Sequence, residues 1–301
     1  MILPMSVGSG RASAASAVRM CPITDLDLPE VAQFLGEHFP PDTPADLWAD
    51  AWRRTVNLPG SDAPNHGFLL RAGSRVVGAY PAIYSTRIID GRRERICNLA
   101  VWYTAPEYRR HSLRMAKAIL SQEGWHFTDL TPIDVVQKLN LRLGFRYLDT
   151  TTALIPNLPW PSLPGRVRVS ADPAVIEATV TGQVRVYYQD HAGCRWARHL
   201  LLIQGNQWCY IQWRKERHKN LPLFASIRYA SNPHLLRQAF RPLGRHLLLH
   251  HGALASLIEA RVSGGRIRPS LLLPNPKRRM YKSTLSPDKI DYLYSEITSA
   301  P

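Results

Sequence analysis

A basic turn directly follows a largely apolar strand pattern in the first half of the chain. The strand pattern covers residues 97–104, and Arg109, Arg110 and Arg114 come within the next ten positions. A helical pattern begins at Ser112, so the turn meets a helix N-terminus, where free backbone N–H groups and the helix dipole attract anions. This spacing predicts a phosphate-binding site, and a solvent-exposed basic turn is the alternative.

Three side chains near this turn are of the types that transfer protons. Glu94 precedes the strand pattern, Tyr103 lies at its end, and Asp129 belongs to the next predicted strand. A carboxylate or a phenol that faces a cleft can act as a general base or a general acid. Each also has a structural alternative: Glu94 fits a solvated hairpin charge, Tyr103 a packing residue, and Asp129 an ion-pair partner or turn cap.

Strand and helix patterns alternate around these candidates. The predicted elements up to residue 155 are a strand over 18–23, a helix from Asp27, a helix over 44–56, a hairpin over 67–86, a strand over 97–104, a helix over 112–123, a strand over 125–131, a helix over 132–143 and a strand over 145–155. A strand, a helix and a further strand form a crossover that places both strands in one sheet. The order predicts an α/β fold with a mixed twisted sheet and the basic turn at its carboxyl edge, where ligands bind.

Three short motifs accompany this order of elements. Residues 106–109 read P-E-Y-R, residues 109–114 read R-R-H-S-L-R, and residues 143–145 read L-G-F. With the element order over residues 18–155, they resemble the P-x-Y-R segment, the Q/R-x-x-G-x-G/A loop and the L-G-F helix end of the GNAT superfamily of acyl-CoA-dependent N-acyltransferases. The resemblance covers half of the chain.

The chain departs from this family pattern at three positions. Ser112 and Arg114 replace the two loop glycines that let the backbone approach the pyrophosphate of coenzyme A, and Asn140 stands where the family frequently has a general-acid tyrosine. A serine costs little at such a position, whereas an arginine is bulky. These departures are also compatible with the alternative that the chain keeps the fold of the family but no longer binds the cofactor in the usual way.

The resemblance implies an acyl-CoA cofactor, most simply acetyl-CoA, in the opening between the strand of Cys97 and the strand of Trp125. An amine acceptor would attack the thioester there, with acid–base catalysis from Glu94, Tyr103 or Asp129. The residues implied in cofactor binding are Val101, Tyr103, Arg109, Arg110, His111, Ser112, Leu113 and Arg114.

One further segment resembles a narrower group within the superfamily. Residues 126–132 read H-F-T-D-L-T-P. Together with the His111-Ser112 loop, they resemble bacterial acetyltransferases encoded near polysaccharide genes. This likeness implies a bacterial enzyme of polysaccharide biosynthesis with an acceptor such as an amino sugar.

The second half has its own pattern of hairpin, strand, helix and strand. It follows a proline-rich linker at residues 156–165, so the predicted units are a disordered leader over 1–17, a GNAT-like domain over 18–155 and a basic α/β domain over 166–301. The second domain loosely repeats the first and is predicted to be a degenerate copy. Near its end, a helix capped by Ser286 is predicted to dock on a core through Ile290, Leu293, Tyr294 and Ile297.

Charge is divided unequally between the halves. Residues 156–301 hold 21 of the 38 Lys and Arg residues but only 8 of the 23 Asp and Glu residues, which places +13 of the net charge of +15 there. Such a field attracts anionic partners. It favours an anionic acceptor for the enzyme, and it equally fits the alternative of a non-catalytic protein that binds nucleic acid or an anionic membrane surface.

Composition limits the remaining classes. Among the 301 residues, no apolar run approaches the roughly 20 needed for a membrane helix. The four cysteines lie far apart, which predicts free thiols in the reducing cytoplasm. His246 and His250 are spaced for one helical face, but no carboxylate or cysteine accompanies them, so no metal site is predicted.

Overall fold

The computed structural model describes residues 17–38, 62–161, 167–218 and 221–299. Within these ranges the chain forms two mixed sheets with helices on both faces, so the predicted α/β class is confirmed. The leader, apart from its last residue, the helix predicted over 44–56 and part of the linker lie outside the described residues. None of the helices in the described ranges is long and apolar enough to cross a membrane.

The strands and helices alternate along both halves. The strands are β1 (Val18–Pro22), β2 (Gly67–Ala72), β3 (Arg75–Ile89), β4 (Arg92–Leu99), β5 (Tyr103–Thr104), β6 (His126–Asp129), β7 (Arg146–Tyr147), β8 (Thr152–Pro156), β9 (Arg168–Ser170), β10 (Arg198–Gln204), β11 (Gln207–His218), β12 (Leu221–Ala230), β13 (Ala255–Glu259), β14 (Leu271–Leu273) and β15 (Met280–Lys282). The helices are α1 (Leu28–Gly36), α2 (Ser112–Leu120), α3 (Asp134–Arg142), α4 (Pro173–Thr179), α5 (Gly182–Ala192), α6 (Pro233–Gln238), α7 (Phe240–His251), α8 (Ala260–Ser263) and α9 (Glu296–Ser299).

The first sheet has the order β1-β2-β3-β4-β6-β15-β7, and β5 pairs with β3. Neighbouring residues of β2 point to opposite faces of a sheet. Leu69 packs with the buried side of α1, while Leu70 packs with Met115 and Ile119 of α2. The two helices therefore cover opposite faces of the first sheet.

The second sheet has the order β14-β8-β13-β12-β11-β10-β9. Successive side chains of its strand β10 also point to opposite faces: Leu200 packs with Leu243 of α7, whereas Leu201 packs with Tyr188 of α5. Tyr187, also on α5, lies in a small cluster with Ile83 of β3. This cluster joins the two halves.

The two sheets exchange a strand. In sequence β8 belongs to the first half, yet it lies between β13 and β14 of the second sheet. In return β15 lies between β6 and β7 of the first sheet. The single strand predicted over 145–155 is instead divided, because Thr150 leaves the sheet and bonds Asn275 Oδ1 and the carbonyl of Lys277. The sheets consequently do not follow the sequence division at residues 156–165.

The segment after Ser286 also differs from the helix predicted there. It forms a 3-10 turn over Pro287–Lys289 and a single helical turn at α9, with bends and a turn between them. Both sides of this connecting part are buried, because Tyr292 packs in one apolar cluster and Leu293 in another. The predicted docking is confirmed for all four apolar residues, which are buried: Ile290, Leu293, Tyr294 and Ile297.

Candidate functional site

The first sheet opens at the carboxyl ends of β4 and β6. These strands run parallel from the pair Ile96–His126 to the pair Leu99–Asp129, where their ladder ends. The chain after β4 then turns away, because β5 pairs with β3 instead. Residues 100–102 lie outside both ladders, so the pairing of β4 with β6 ends at Asp129, and we refer to this carboxyl end of the strand pair as the opening.

Asp129 is buried at this opening. It is 5% exposed, and its Oδ2 accepts a hydrogen bond of 2.7 Å from Asn140 Nδ2 on α3. Burial raises the pKa of Asp129 to about 7, and the nearby Glu296 carboxylate adds to the rise, whereas the hydrogen bond from Asn140 opposes it. Near neutral pH this carboxyl therefore both takes up and releases a proton.

Glu296 reaches the same opening from α9. Its Oε1 accepts a hydrogen bond of 2.8 Å from Thr131 Oγ1, and its Oε2 accepts one from Asn98 Nδ2 on β4. Burial raises the pKa of Glu296, although these hydrogen bonds and the more distant Arg279 oppose the rise. Within the described ranges neither Asp129 nor Glu296 forms an ion pair.

Tyr80 of β3 lies beside these carboxyl groups. Its ring stacks on Trp102 with a centroid distance of 4.5 Å. Burial raises the pKa of Tyr80 well above its ordinary value, and the charges of Asp129, Cys97 and Glu296 raise it further. The phenol therefore keeps its proton at any physiological pH and can donate a hydrogen bond.

The basic turn forms a 3-10 helix over Pro106–His111 that leads directly into α2. Arg110 Nε donates to His111 Nε2 at 3.0 Å, and Ser112 Oγ donates to the carbonyl of Arg109 at 2.8 Å. Arg109, Arg110 and Arg114 are exposed and form no ion pair with the part of the chain that the structure describes. Their charges are therefore available to an anion at the α2 N-terminus.

Leu113 packs against the core under α2, and Val101 packs against the cluster under α1.

The three predicted proton-transfer residues are not brought together. Glu94 lies near the start of β4, where it accepts a hydrogen bond of 3.0 Å from His126. It is five residues before Leu99, or about 16 Å along an extended strand. The Tyr103 ring packs against His38 of the segment after α1, with a centroid distance of 4.4 Å. Of the three, Asp129 is the one at the point where the strands part.

Sequence reasoning missed most partners of Asp129. Glu296 lies among the apolar residues predicted to dock on a core, which is a weak sign that it is buried. Nothing in the sequence indicates that this segment docks beside Asp129. Asn140 was noticed only as the position that lacks a tyrosine. Asn98 and Tyr80 had no signal, because both lie in strands that look uniformly buried.

The second sheet has a corresponding opening. Strands β12 and β13 run parallel up to the pair Ile227–Ile258, and Glu259 follows at the end of β13. Unlike Asp129, Glu259 forms ion pairs with Arg261 at 2.8 Å and Arg279 at 2.7 Å. It also accepts a hydrogen bond from the Tyr292 hydroxyl. This carboxylate is held in place by two arginines and a phenol.

The histidines of α7 lie away from both carboxylates. The rings of His246 and His250 are 4.4 Å apart, and burial lowers the pKa of His246 to about 4. Across the described ranges, no group of three or more His, Cys, Asp or Glu side chains is arranged to hold a metal ion.

The fold is similar to that of solved structures described as probable, putative or GCN5-related acyltransferases. A probable N-acyltransferase of Enterococcus faecalis superposes with a TM-score of 0.58 at 12% identity over 88% of this chain and 72% of that one. A GCN5-related N-acetyltransferase of Kribbella flavida superposes with a TM-score of 0.57 at 16% identity over 88% of this chain and 70% of that one. A putative acetyltransferase of Pyrococcus horikoshii superposes with a TM-score of 0.51 at 14% identity over 92% of this chain and 93% of that one.

These likenesses identify the architecture as the GNAT fold, as the sequence motifs predicted. They cover both halves of the chain. No family model and no curated protein sequence matches it.

Proposed function

We propose that this protein is an acyl-CoA-dependent N-acyltransferase whose reaction takes place at the opening between β4 and β6. The observation that carries the proposal is the pair Asp129 and Glu296, two buried carboxyl groups without an ion pair among the described residues. Burying a carboxylate without a cation is costly, and such groups concentrate where a protein needs a proton acceptor.

The basic turn would hold the cofactor. Bound acyl-CoA supplies an activated thioester carbonyl. The phosphate groups of such a molecule suit Arg109, Arg110 and Arg114, which are exposed beside the α2 N-terminus. Arg114 is exposed, so its guanidinium can turn towards a phosphate, although its Cβ stands where the family has its second loop glycine. Acetyl-CoA is the simplest donor.

The proton transfers are assigned from the surroundings of each group. An amine must lose a proton before it attacks a thioester, and Asp129, with a pKa of about 7, accepts that proton. Tyr80 keeps its proton and donates a hydrogen bond to the departing sulfur, which leaves as a thiolate. Glu296 holds Asn98 and Thr131 in place and raises the pKa of Asp129.

The acceptor is proposed to be an amine on a small anionic molecule, such as a nucleotide-linked amino sugar. The excess charge of the second half supports this, because a positive field concentrates anions near a cleft. With the motif of residues 126–132, it supports a role in bacterial polysaccharide biosynthesis in the cytoplasm. Turnover with such acceptors should fall as ionic strength rises.

Calorimetric titration with acetyl-CoA tests the cofactor site. We expect saturable binding that weakens at least about tenfold in the Arg109→Ala, Arg110→Ala double variant, because two charge-assisted hydrogen-bond donors are removed. The Arg92→Ala, Arg93→Ala double variant is the matched control, since it removes two exposed neighbouring arginines of β4 and should bind normally.

A screen of amino sugars for release of free thiol from acetyl-CoA would then identify the acceptor. Absence of acetyl-CoA binding, together with affinity for nucleic acid or anionic vesicles that declines steeply with salt, would refute the enzyme and favour the binding-protein alternative.

A further inference from the structure

Helix α7 has an outer stripe that contains no carboxylate. Arg241, Arg245 and Leu249 are spaced four residues apart, so they lie along one side of the helix. Arg241 is exposed, Arg245 is half-buried, and Leu249 is 53% exposed. The other side of α7, with Leu243 and Leu247, packs in the core of the second sheet. The outer stripe therefore presents two cations and one apolar side chain to the surroundings.

The segment after β8 brings further apolar side chains to this helix. The amide N of Asn157 donates to the carbonyl of Leu254 at 2.9 Å, and its Nδ2 donates to the carbonyl of Ala253 at 2.9 Å. These bonds hold Leu158 beside the turn that follows α7. Leu158 is 38% exposed and Leu254 is 54% exposed. Together with Leu249, these side chains leave three leucines partly uncovered at one end of the second sheet.

A tryptophan lies at the other end of the stripe. The guanidinium of Arg241 stands over the ring of Trp160, 4.8 Å from its centroid. Both side chains line a small groove with Leu158 and Arg268. Among the described residues, Arg241, Arg245 and Arg268 form no ion pair. We call the α7 surface the set Leu158, Trp160, Arg241, Arg245, Leu249 and Leu254.

The sequence around the α7 surface offers it little negative charge. Residues 191–287 contain 17 Lys and Arg residues but two acidic residues, Glu216 and Glu259. Glu216 pairs with Arg228, and Glu259 pairs with Arg261 and Arg279. Neither carboxylate is therefore free to neutralise the arginines of the α7 surface. Such a surface is complementary to an anionic partner.

The leucines decide which anionic partner fits. Nucleic acid binds to cations and stacks on aromatic rings. A second copy of the chain, related by a two-fold axis, would set the same arginines against each other. A bilayer offers phosphate groups to the arginines, an apolar boundary to the leucines, and the interfacial position that tryptophan favours. We propose that the α7 surface docks on a membrane that contains anionic lipids. This docking does not depend on the acyl transfer proposed above.

Cosedimentation of the full chain with lipid vesicles tests the arginines. We expect binding to phosphatidylcholine vesicles that hold about 30% phosphatidylglycerol, and much weaker binding to phosphatidylcholine alone. The Arg241→Ala, Arg245→Ala double variant should bind about 30-fold more weakly, because each basic side chain near an anionic surface contributes about fivefold. The Arg92→Ala, Arg93→Ala double variant has the same net charge and removes two exposed arginines elsewhere, so it should bind as the wild type does.

The leucines distinguish a membrane from nucleic acid. The Leu249→Gln, Leu254→Gln double variant should bind vesicles about tenfold more weakly, because both side chains lose contact with the acyl boundary. Its binding to double-stranded DNA is measured in parallel. Weaker vesicle binding in the arginine and leucine variants, with the control unchanged, supports the proposal.

Four results would overturn it. The wild type does not bind the anionic vesicles, or it binds DNA more tightly than vesicles at the same salt concentration. The leucine variant binds vesicles as the wild type does. The control loses as much affinity as the Arg241→Ala, Arg245→Ala variant, which would show that net charge alone attracts the lipid. All the substituted side chains are at least partly exposed, so the variants should fold.

Discussion

At the end of β6 stands Asp129, and at the end of β13 stands Glu259. Both carboxylates follow a parallel strand pair at the point where a sheet opens. Asp129 has an amide from Asn140 and a second carboxyl nearby, whereas Glu259 has two arginines and a phenol. The same backbone geometry thus carries the carboxyl group proposed as a proton acceptor in one half and a carboxylate fixed by ion pairs in the other.

The difference lies in the residues that fill each opening rather than in the sheets. Cations stabilise an ionised carboxylate and keep it from accepting protons, while burial without a cation has the opposite effect. A repeated fold can therefore keep one reactive opening while the other takes a different task. Each prediction below changes one side of this comparison.

Removing the proposed base should have the largest effect. Asp129→Asn keeps an oxygen for the Asn140 amide but cannot accept a proton. We expect kcat/KM for acyl transfer to fall by about 10³-fold, within the usual range for a general base. Initial rates of thiol release measure it. A variant that retains the wild-type rate would remove Asp129 from the mechanism.

Glu259→Gln should instead damage stability. It leaves Arg261 and Arg279 buried without their carboxylate, which costs about 3–5 kcal/mol of unfolding free energy. Urea denaturation measures the loss. Glu94→Gln, which breaks the partly exposed pair with His126, is the control and should cost less than about 1 kcal/mol. Per folded molecule, the Glu259→Gln variant should turn over normally.

Glu296→Gln should lower the rate less than Asp129→Asn does, by about 10- to 100-fold, because it acts through its neighbours. It should also move the pH–rate profile. The wild-type rate should rise with pH through a midpoint near 7, as Asp129 loses its proton. Removing the Glu296 charge lowers the pKa of Asp129, so the midpoint should shift to lower pH. An unchanged midpoint would show that the Glu296 charge does not affect the titration of Asp129.

The smallest expected effect is on stability against pH. The pKa of Asp129 is about 7 in the folded chain and 3.8 as the ordinary value, so the folded state favours the protonated form. The associated stability is complete below the ordinary value and is lost as pH rises through 7. Between pH 6 and 8 the wild type should lose about 1 kcal/mol relative to Asp129→Asn. If urea denaturation gives the wild type and Asp129→Asn the same change in unfolding free energy between pH 6 and pH 8, the raised pKa is contradicted.

Local patterns were enough to predict one side of this comparison. Alternating strands and helices, the basic turn and the L-G-F helix end predicted the first opening and placed Asp129 in a strand beside it. The confirmed GNAT fold follows from the same short-range features. Gly144, with φ +88°, ends α3 in the left-handed conformation that glycine favours.

The rest depends on contacts distant in sequence. Glu296 bonds Asn98 across 198 positions, and no periodicity encodes such a pairing. The sequence gives no sign of the exchange of β8 and β15, because strands of three to five residues carry no pattern that selects one sheet over the other. The apolar residues of the tail have helical spacing and so predict a helix, but different clusters bury both sides of the tail and the chain there forms turns and bends.

The exchanged strand β15 also affects how the protein folds during its synthesis on the ribosome. One edge of β6 stays unpaired until β15 has been synthesised, because Asp129 pairs with Met280, 151 positions later. At about 5–20 residues per second, translation takes roughly 8–30 s to cover that interval. During that time the nascent chain exposes an unpaired strand edge, and β7 has no strand to join. Synthesis of the second half therefore sets the moment at which the first half can mature.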